Sequence, residues 1–271
     1  MKKMSKIKGF LRLYRPDVPV IVFLGTFAGR IMTTGFEMKI IAQALFLALF
    51  PYNFVYTLNS ITDRLEDSVN KPWRPLTDGT LEKKEAVWWL MFITIVSTAG
   101  IPVLFKGVEI FLAFLVIFLG FSYSLPPFTL KNRLFIAPLI TGWGVVHPLY
   151  ITGGIELFWV TSSLLLHAVG VTFLKDLSDI KGDKLAGRSV VTDHLQLRTV
   201  VLISIFLKMM SITAFLFTDH SVIGVIPAIS IISLLYHFIK RKADFTEIIY
   251  KRMIWTTAFS SFLVVIYLSL G

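Results

Sequence analysis

The 271-residue sequence contains no cysteine, and this absence excludes several kinds of chemistry. Without a thiol, the chain can form no disulfide framework, no thiolate metal site and no cysteine nucleophile. The sequence also shows no strand pattern, no low-complexity segment and no change of composition that would mark a domain boundary. We therefore expect a single domain over residues 1–271.

Apolar side chains are what the sequence has in excess. Hydrophobic residues make up 55% of the chain and the mean hydropathy is +0.73, whereas soluble domains carry roughly 45–50% apolar residues. A soluble domain could not bury this much apolar surface, so we expect an integral protein of the lipid bilayer. The basic N-terminus lacks the apolar core and cleavage site of a signal peptide, and we interpret it as a retained cytoplasmic end.

Nine apolar stretches have about the length that a helix needs to cross a hydrocarbon core, which is about 20 residues. The predicted fold class is therefore an all-α membrane protein with nine transmembrane helices. The predicted spans cover residues 18–36, 40–59, 86–104, 109–122, 134–150, 156–174, 199–217, 221–239 and 253–270.

The basic residues are distributed unequally between the two sides that these spans define. Of the 27 Lys and Arg residues, 23 fall in the segments on the side of the N-terminus and two in the segments on the other side. Cytoplasmic segments of membrane proteins are enriched in Lys and Arg, so we expect a cytoplasmic N-terminus, an outside C-terminus and a site that faces the cytoplasm from the cell membrane. The net charge of +10 is then a signal of topology, and we expect no nucleic-acid partner because no basic-aromatic module is present.

Two acidic clusters follow the second and sixth spans on the predicted cytoplasmic side, in the segments "NSITDRLED" and "DLSDIKGD". Their side chains recur every three or four residues and so share one helix face in each cluster. The first cluster comprises Asn59, Asp63 and Asp67, and the second comprises Asp176, Asp179 and Asp183.

Like charges at this spacing destabilise a helix unless a cation offsets them. The clusters are either solvated helix ends balanced by nearby Lys and Arg residues or, as we predict, a metal site. Mg²⁺ is favoured because it is held by carboxylates together with substrate phosphates. No EF-hand-like loop supports Ca²⁺, and neither cluster contains a histidine that would favour Zn²⁺.

The loops near the clusters supply cations that suit phosphate. Lys71 and Arg74 lie in "NKPWRPLTDG", and Lys131 lies in "YSLPPFTLKNR". Arginine can bind two phosphate oxygens at once, while lysine acts as a point charge. Carboxylates beside these cations, at the end of an apolar bundle, suggest a substrate with a diphosphate on a hydrocarbon chain.

These motifs resemble those of the UbiA superfamily of intramembrane prenyltransferases. The segments "NSITDRLED" and "NKPWRPLTDG" are similar to its first Asp-rich motif, "KDLSDIKGDKLAG" is similar to its second, and "YSLPPFTLK" is similar to the Tyr-containing loop between them. The resemblance covers essentially the whole chain and implies nine helices around a central cavity. It also implies Mg²⁺-dependent transfer of a prenyl group from a polyprenyl diphosphate to a lipophilic acceptor.

The resemblance assigns roles by position. It implies that the six side chains of the acidic clusters bind Mg²⁺, with Asp63, Asp67, Asp176 and Asp179 catalytic, and that Lys71, Arg74 and Lys131 bind the diphosphate. Tyr123 would also be catalytic and would lie near the allylic carbon or the bridging oxygen. The chain departs from the pattern at "GRSVVTDHL", where "TLP" is common, and at Ser60, where an aspartate often follows the asparagine.

Two other functions compete with prenyl transfer. A terpene cyclase would use the same motifs, and a cyclised hydrocarbon product would identify it. An ion or metabolite transporter usually carries its charges near the membrane midplane in broken helices, whereas these carboxylates lie at helix ends on one side.

The acceptor is less well specified by the sequence. The segment "NKPWRPLTDG" is closer to the branch with digeranylgeranylglyceryl phosphate synthase and chlorophyll synthases than to haem O synthases. We therefore expect a geranylgeranyl or longer donor and a prenylglyceryl phosphate acceptor, with an aromatic quinone precursor as the alternative. The sequence does not indicate an oligomeric state.

Overall fold

The computed structural model describes residues 2–15, 17–189 and 191–241 of the chain. Within these residues the regular structure is entirely helical, which agrees with the predicted fold class. Three short 3₁₀ helices, Leu130–Asn132, Gly154–Leu157 and Ser221–Gly224, lie in the connections. The α-helices are α1 (Lys2–Leu13), α2 (Asp17–Thr34), α3 (Met38–Leu49), α4 (Pro51–Thr62), α5 (Arg64–Asn70), α6 (Lys83–Leu104), α7 (Val108–Ser124), α8 (Ile136–Gly153), α9 (Phe158–Leu185), α10 (Val191–His194), α11 (Leu197–Phe215) and α12 (Val225–Arg241).

The described residues contain six stretches long and apolar enough to cross a membrane, whereas the sequence predicted nine spans. One of these stretches, Ile136–Leu185, contains both α8 and α9, and the fourth predicted span coincides with α7, which is a shorter apolar helix. The first eight predicted spans therefore each coincide with described apolar helix, and the ninth, 253–270, lies outside the described residues. The stretches long and apolar enough to cross a membrane are Asp17–Thr34, Met38–Thr62, Lys83–Leu104, Ile136–Leu185, Leu197–Phe215 and Ser221–Lys240.

The second span differs from the prediction because it is broken near its middle. Its helix ends at Leu49 and a new helix begins at Pro51. Proline has no amide hydrogen and its ring clashes with the preceding turn, so it is tolerated at a helix start and disrupts a helix interior. The predicted span 40–59 therefore lies within one apolar stretch, Met38–Thr62, which consists of two helices that meet at Phe50.

The long helices pack side by side, with α8 between α2 and α9, α9 against α11, and α4 against α6 and α7. Gly29 allows α2 to lie close to α8, since a Cβ at this position would collide with the backbone carbonyl of Leu149. The same two helices are joined by Thr152, whose hydroxyl donates to the carbonyl oxygen of Thr26 at 2.8 Å. Small residues and interhelical hydrogen bonds are the usual means of helix association in membranes.

Arg30 lies within α2, where an unpaired charge in lipid would be costly. The structure pairs it with Glu109 of α7 at 2.5 Å. Gln43 of α3 donates to the backbone oxygen of Leu104 at 2.7 Å in the same part of the bundle. These contacts explain the intramembrane arginine as a link between helices at the end of the bundle opposite to the acidic clusters.

The lipid-facing surface of the bundle is apolar. Ile95 of α6, Phe111 of α7 and Phe206 of α11 each expose more than half of their surface. In water this surface would be strongly unfavourable, but in a bilayer it is in contact with hydrocarbon. The described structure therefore supports the interpretation of the chain as an integral membrane protein.

A short helix and a loop cover the end of the bundle where the acidic clusters lie. Lys6 of α1 pairs with Glu85 at 2.6 Å, and Arg12 pairs with Asp78 at 2.6 Å. Helix α6 starts there with a capping box between Glu82 and Glu85, which satisfies free backbone donors of its first turn. These contacts fix the loop that carries Lys71 and Arg74 over the end of the bundle.

Candidate active site

A polar pocket opens at the end of the bundle where α4 and α5, the end of α7 and the end of α9 converge. Every side chain to which the sequence assigned a role lines this pocket. They are Asn59, Asp63, Asp67, Lys71, Arg74, Tyr123, Lys131, Asp176, Asp179 and Asp183.

The first acidic cluster lies on a nearly continuous helical path from α4 to α5. Asn59 belongs to α4 and Asp67 to α5, while Asp63 is the residue between the two helices, with φ −98° and ψ 19°. The amide of Asp63 donates to the carbonyl of Asn59, and the amide of Asp67 donates to that of Asp63, both at 2.8 Å. The path thus keeps helical hydrogen bonding through the junction, so the three side chains share one face as the spacing predicted.

The second acidic cluster lies on a single uninterrupted helix. Helix α9 has 28 residues, which is longer than the about 20 residues that cross a hydrocarbon core. Its last turns carry Asp176, Asp179 and Asp183, so the predicted loop 175–198 begins as a helix extension. Asp179 is buried, while Asp176 and Asp183 are half-buried.

Close docking of α5 against α9 brings the two clusters face to face. The side-chain amide of Asn70 donates to the backbone oxygen of Asp179 at 2.6 Å, and its oxygen accepts from the backbone amide of Gly182 at 2.8 Å. A Cβ at Gly182 would collide with the backbone oxygen of Glu66. Asn70 and Gly182 therefore determine the distance between the acidic helices.

The three basic residues predicted to bind diphosphate each contact a carboxylate of the clusters. Lys71 lies 2.7 Å from Asp179, and Lys131 lies 2.6 Å from Asp63. Arg74 pairs with Asp67. The contacts of Lys71 connect the two sides of the pocket, because it extends from the end of α5 to the carboxylate on α9.

Asp63 shows how these cations control the charge of the pocket. Only 9% of its surface is exposed, and burial alone would raise the pKa of its carboxyl group. Lys131 and Arg188 lie close enough to outweigh burial, and the net effect is a lowered pKa. Asp63 is therefore ionised at neutral pH and is a competent ligand for a cation.

Tyr123 lines the pocket from the end of α7. Leu134 and Ala137 line the same pocket and contribute apolar surface to it. The lining thus contains aromatic and apolar side chains beside the charged ones. This arrangement suits a ligand with a charged head and an apolar body.

Several pocket residues were not among the predicted site residues. Arg188 binds Asp63 and Glu66 from the loop after α9. Lys175 lies 3.3 Å from Asp179, and Arg15 lines the pocket from the segment before α2. The sequence shows that these residues are charged and on the predicted cytoplasmic side, but only the docking of the loops brings them to the clusters.

The donors in the pocket fit a hard divalent cation. Carboxylate and amide oxygens are ligands of Mg²⁺, which usually takes one or two carboxylates and completes its shell with water and phosphate oxygens. The side-chain oxygen of Asn59 is buried and has no hydrogen-bond partner in the described structure. A buried acceptor without a partner is costly, and a cation beside Asp63 would satisfy it. Within the described ranges, no three Asp, Glu or His side chains converge on one point.

Solved structures with the same arrangement of helices include a UbiA homolog from Archaeoglobus fulgidus bound to GPP and Mg²⁺. It matches with a TM-score of 0.73 and 19% identity, over 97% of this chain and 100% of that chain. At this identity the similarity establishes the fold and no more.

The chain is also similar in sequence to curated proteins. The digeranylgeranylglyceryl phosphate synthase of Thermococcus gammatolerans is 24% identical, over 81% of this chain and 81% of its own length. The probable homogentisate phytyltransferase 2 of Oryza sativa is 29% identical, but the match covers 54% of this chain and only 42% of the plant protein. The sequence profile of the UbiA prenyltransferase family matches residues 21–263. The predicted family is therefore confirmed, and the chain belongs to the UbiA prenyltransferase family.

Proposed function

We propose that the protein is a Mg²⁺-dependent intramembrane prenyltransferase that moves a polyprenyl group from its diphosphate to a lipophilic acceptor. The observation that carries this proposal is the meeting of two acidic clusters and several basic residues across one pocket at the end of an apolar bundle. A diphosphate head would lie among the charges, and its hydrocarbon chain would extend towards the apolar helices.

The two clusters would hold separate Mg²⁺ ions on the two sides of the diphosphate, since no three acidic side chains of the described residues converge on one point. Asn59, Asp63 and Asp67 would bind from α4, α5 and their junction. Asp176, Asp179 and Asp183 would bind from α9, with water and phosphate oxygens completing each shell. When bound, Mg²⁺ supplies positive charge that neutralises the diphosphate as it leaves.

The basic residues would stabilise the same leaving group from the protein side. Lys71, Arg74 and Lys131 already point into the pocket, and a phosphate oxygen can replace the carboxylates that they now contact. Because negative charge grows on the diphosphate as the allylic C–O bond lengthens, these contacts strengthen in the transition state. They therefore favour ionisation of the substrate over its mere binding.

Tyr123 would face the allylic part of the substrate. The face of an aromatic ring attracts a cation, so a tyrosine in the pocket lining suits a developing carbocation. The apolar helices around the hydrocarbon chain would exclude water, which would otherwise capture the cation before the acceptor does.

We propose a prenylglyceryl phosphate as the acceptor, with an aromatic quinone precursor as the second candidate. The archaeal relative named digeranylgeranylglyceryl phosphate synthase aligns over most of both chains, whereas the plant phytyltransferase aligns over less than half of its length. Arg15 adds a cation for an acidic acceptor: its guanidinium lies 4.9 Å from the centre of the Tyr56 ring, and its buried Nε has no hydrogen-bond partner within the described ranges.

We further propose that the chain crosses the cell membrane nine times, with the N-terminus and the pocket on the cytoplasmic side and the C-terminus outside. The distribution of Lys and Arg supports this orientation. The eight described apolar segments support the number of spans, although the proposed ninth lies beyond them.

The test is transfer of label by the detergent-purified protein. Labelled geranylgeranyl diphosphate and Mg²⁺ are incubated with a prenylglyceryl phosphate, with an aromatic hydroxy acid or with no acceptor, and the products are identified by mass spectrometry. We expect label in one acceptor and none after addition of EDTA. A cyclised hydrocarbon formed without an acceptor would identify a cyclase instead, and an unchanged diphosphate in every mixture would contradict the proposal.

A further inference from the structure

Arg188 occupies a position that the family resemblance does not explain. It follows Gly187, which ends the last turn of α9 with φ +72°, a backbone conformation that glycine adopts without strain. The backbone amide of Arg188 donates to the carbonyl of Asp183 at 2.9 Å, so the chain folds back over the end of α9. Its side chain is only 14% exposed and lines the pocket.

The guanidinium of Arg188 bridges the two sides of the pocket. Its Nη2 lies 2.7 Å from Asp63 Oδ1 and also contacts Glu66, while Nη1 lies 3.6 Å from Asp183 Oδ1. Asp63 Oδ1 is shared with Lys131, which lies 2.6 Å away. Two cations of the protein thus bind one oxygen of the carboxylate that the proposed function assigns to the metal.

Because of this sharing, a metal ion competes with Arg188 and Lys131 for the carboxylate of Asp63. A metal ion that binds there competes for Oδ1 and is repelled by both side chains, because like charges in a buried site interact strongly. Metal alone should therefore bind weakly. The competition ends if the displaced guanidinium finds another anion within reach.

A diphosphate is such an anion, because its oxygens accept two parallel hydrogen bonds from one guanidinium. We propose that Arg188 exchanges partners, from the carboxylates of Asp63 and Glu66 to the diphosphate, and that this exchange couples the binding of metal to the binding of substrate. The coupling rests on the proposed function of the pocket. By linkage, each ligand increases the affinity for the other by the same factor.

The exchange predicts opposite effects of one substitution on two affinities. In Arg188→Gln the competing cation is removed, so Mn²⁺ alone should bind at least about tenfold more tightly, as measured by electron paramagnetic resonance of free Mn²⁺ in detergent solution. The same variant lacks a phosphate ligand, so binding of labelled geranyl diphosphate in saturating Mg²⁺ should weaken by about tenfold or more. Each factor of ten corresponds to about 1.4 kcal/mol.

Three variants make the result interpretable. Mn²⁺ binding that is lost in Asp63→Asn is assigned to the pocket, because this substitution removes a proposed metal ligand. Lys184→Gln is the matched control: Lys184 is on the same stretch of chain but is 54% exposed and paired with Asp193, so both affinities should stay unchanged. Arg188→Lys keeps the charge without the planar fork, and it should shift both affinities in the same two directions by smaller factors if Arg188→Gln fails to fold.

The proposal and the function on which it rests fail differently. If the unsubstituted protein binds no prenyl diphosphate in the presence of Mg²⁺, the proposed function is contradicted. If it binds the diphosphate but the Arg188 variants weaken both affinities, or change neither, Arg188 has a structural role or none and the partner exchange is overturned.

Discussion

Asp63 is the residue at which most of the interactions in the pocket meet. Its carboxylate binds Lys131 and Arg188, and its backbone joins α4 to α5. Asp179 has the corresponding position on α9, where it binds Lys71 and Lys175. Replacement of either residue by alanine would remove the hydrogen-bond acceptor together with the charge, so asparagine, which has nearly the same shape and keeps an acceptor, is the better test.

We expect Asp63→Asn and Asp179→Asn each to lower kcat by roughly a hundredfold or more, the loss typical of a removed transition-state contact. The measurement is the initial rate of prenyl transfer at saturating Mg²⁺. Asp219→Asn is the control, since this exposed residue lies between α11 and α12 at the opposite end of the bundle. Normal turnover in either pocket variant would show that the substituted carboxylate has no role in the reaction.

Substitutions at Arg74 and Lys131 test whether these two cations act on the diphosphate. Arg74→Lys keeps the charge but loses the planar fork, and Lys131→Met loses the charge. A hydrogen bond to a charged group contributes about 1.5–3 kcal/mol, so kcat should fall roughly ten- to a hundredfold in each variant. The acceptor preference should not change, and Lys84→Met, which removes an exposed charge, should behave as the unsubstituted protein does.

A variant that keeps its full kcat but prefers a different acceptor would assign that residue to the acceptor and not to the diphosphate. The two outcomes are separated by steady-state kinetics with two acceptors in competition. KM for the prenyl diphosphate gives a second criterion, because an interaction made only in the transition state lowers kcat and kcat/KM equally.

The sequence was sufficient to predict the charged residues on the helices of the pocket. A spacing of three or four residues determines which side chains share a face, and this holds even across the distortion at Asp63. It was not sufficient for Arg188 and Asn70. Their partners are distant in the chain, so their roles depend on how the loop after α9 folds back and how α5 docks on α9.

At the scale of helices, the contact between α5 and α9 holds the two acidic clusters together. Gly182→Ala places a methyl group against the backbone oxygen of Glu66, and overpacking of this kind typically costs about 1–3 kcal/mol. We expect a lower midpoint of thermal unfolding in detergent and a larger loss of prenyl transfer, because the clusters move apart.

Gly144→Ala is the matched control for this substitution. Gly144 lies within α8, and a Cβ built there meets no atom within 4 Å. Alanine has a higher helix propensity than glycine by about 1 kcal/mol, so this variant should be at least as stable as the unsubstituted protein and equally active. If Gly182→Ala matched this behaviour, close docking of α5 on α9 would not be needed for the site.

The helices also show why the predicted boundaries differ from the observed ones. The break in the second span follows from Pro51 and is not apparent from hydropathy, because a hydropathy profile does not register that proline interrupts a helix. Helix α9 continues beyond the end of its predicted span at residue 174, as the spacing of the second acidic cluster on one helix face predicted, and its charged turns dock on α5.

At the scale of the whole molecule, the orientation can be tested with single cysteines, since the chain has none of its own. In intact cells, Gln196→Cys should react only with a reagent that crosses the membrane, and Lys106→Cys should also react with one that does not. A cysteine added after Leu270, outside the described residues, should behave like Lys106→Cys if nine spans are present. Labelling of Gln196→Cys by the reagent that does not cross the membrane would show that the orientation is the reverse of the proposed one.

The most direct test of the central claim is the stoichiometry of diphosphate release. The account predicts that, with the correct acceptor and Mg²⁺, one diphosphate is released for each prenyl group transferred, that EDTA stops both together, and that Asp63→Asn slows both by the same large factor. Transfer or release that continued without a divalent cation, or at the normal rate in Asp63→Asn, would contradict the claim that the paired acidic clusters hold the Mg²⁺ that promotes ionisation of a prenyl diphosphate.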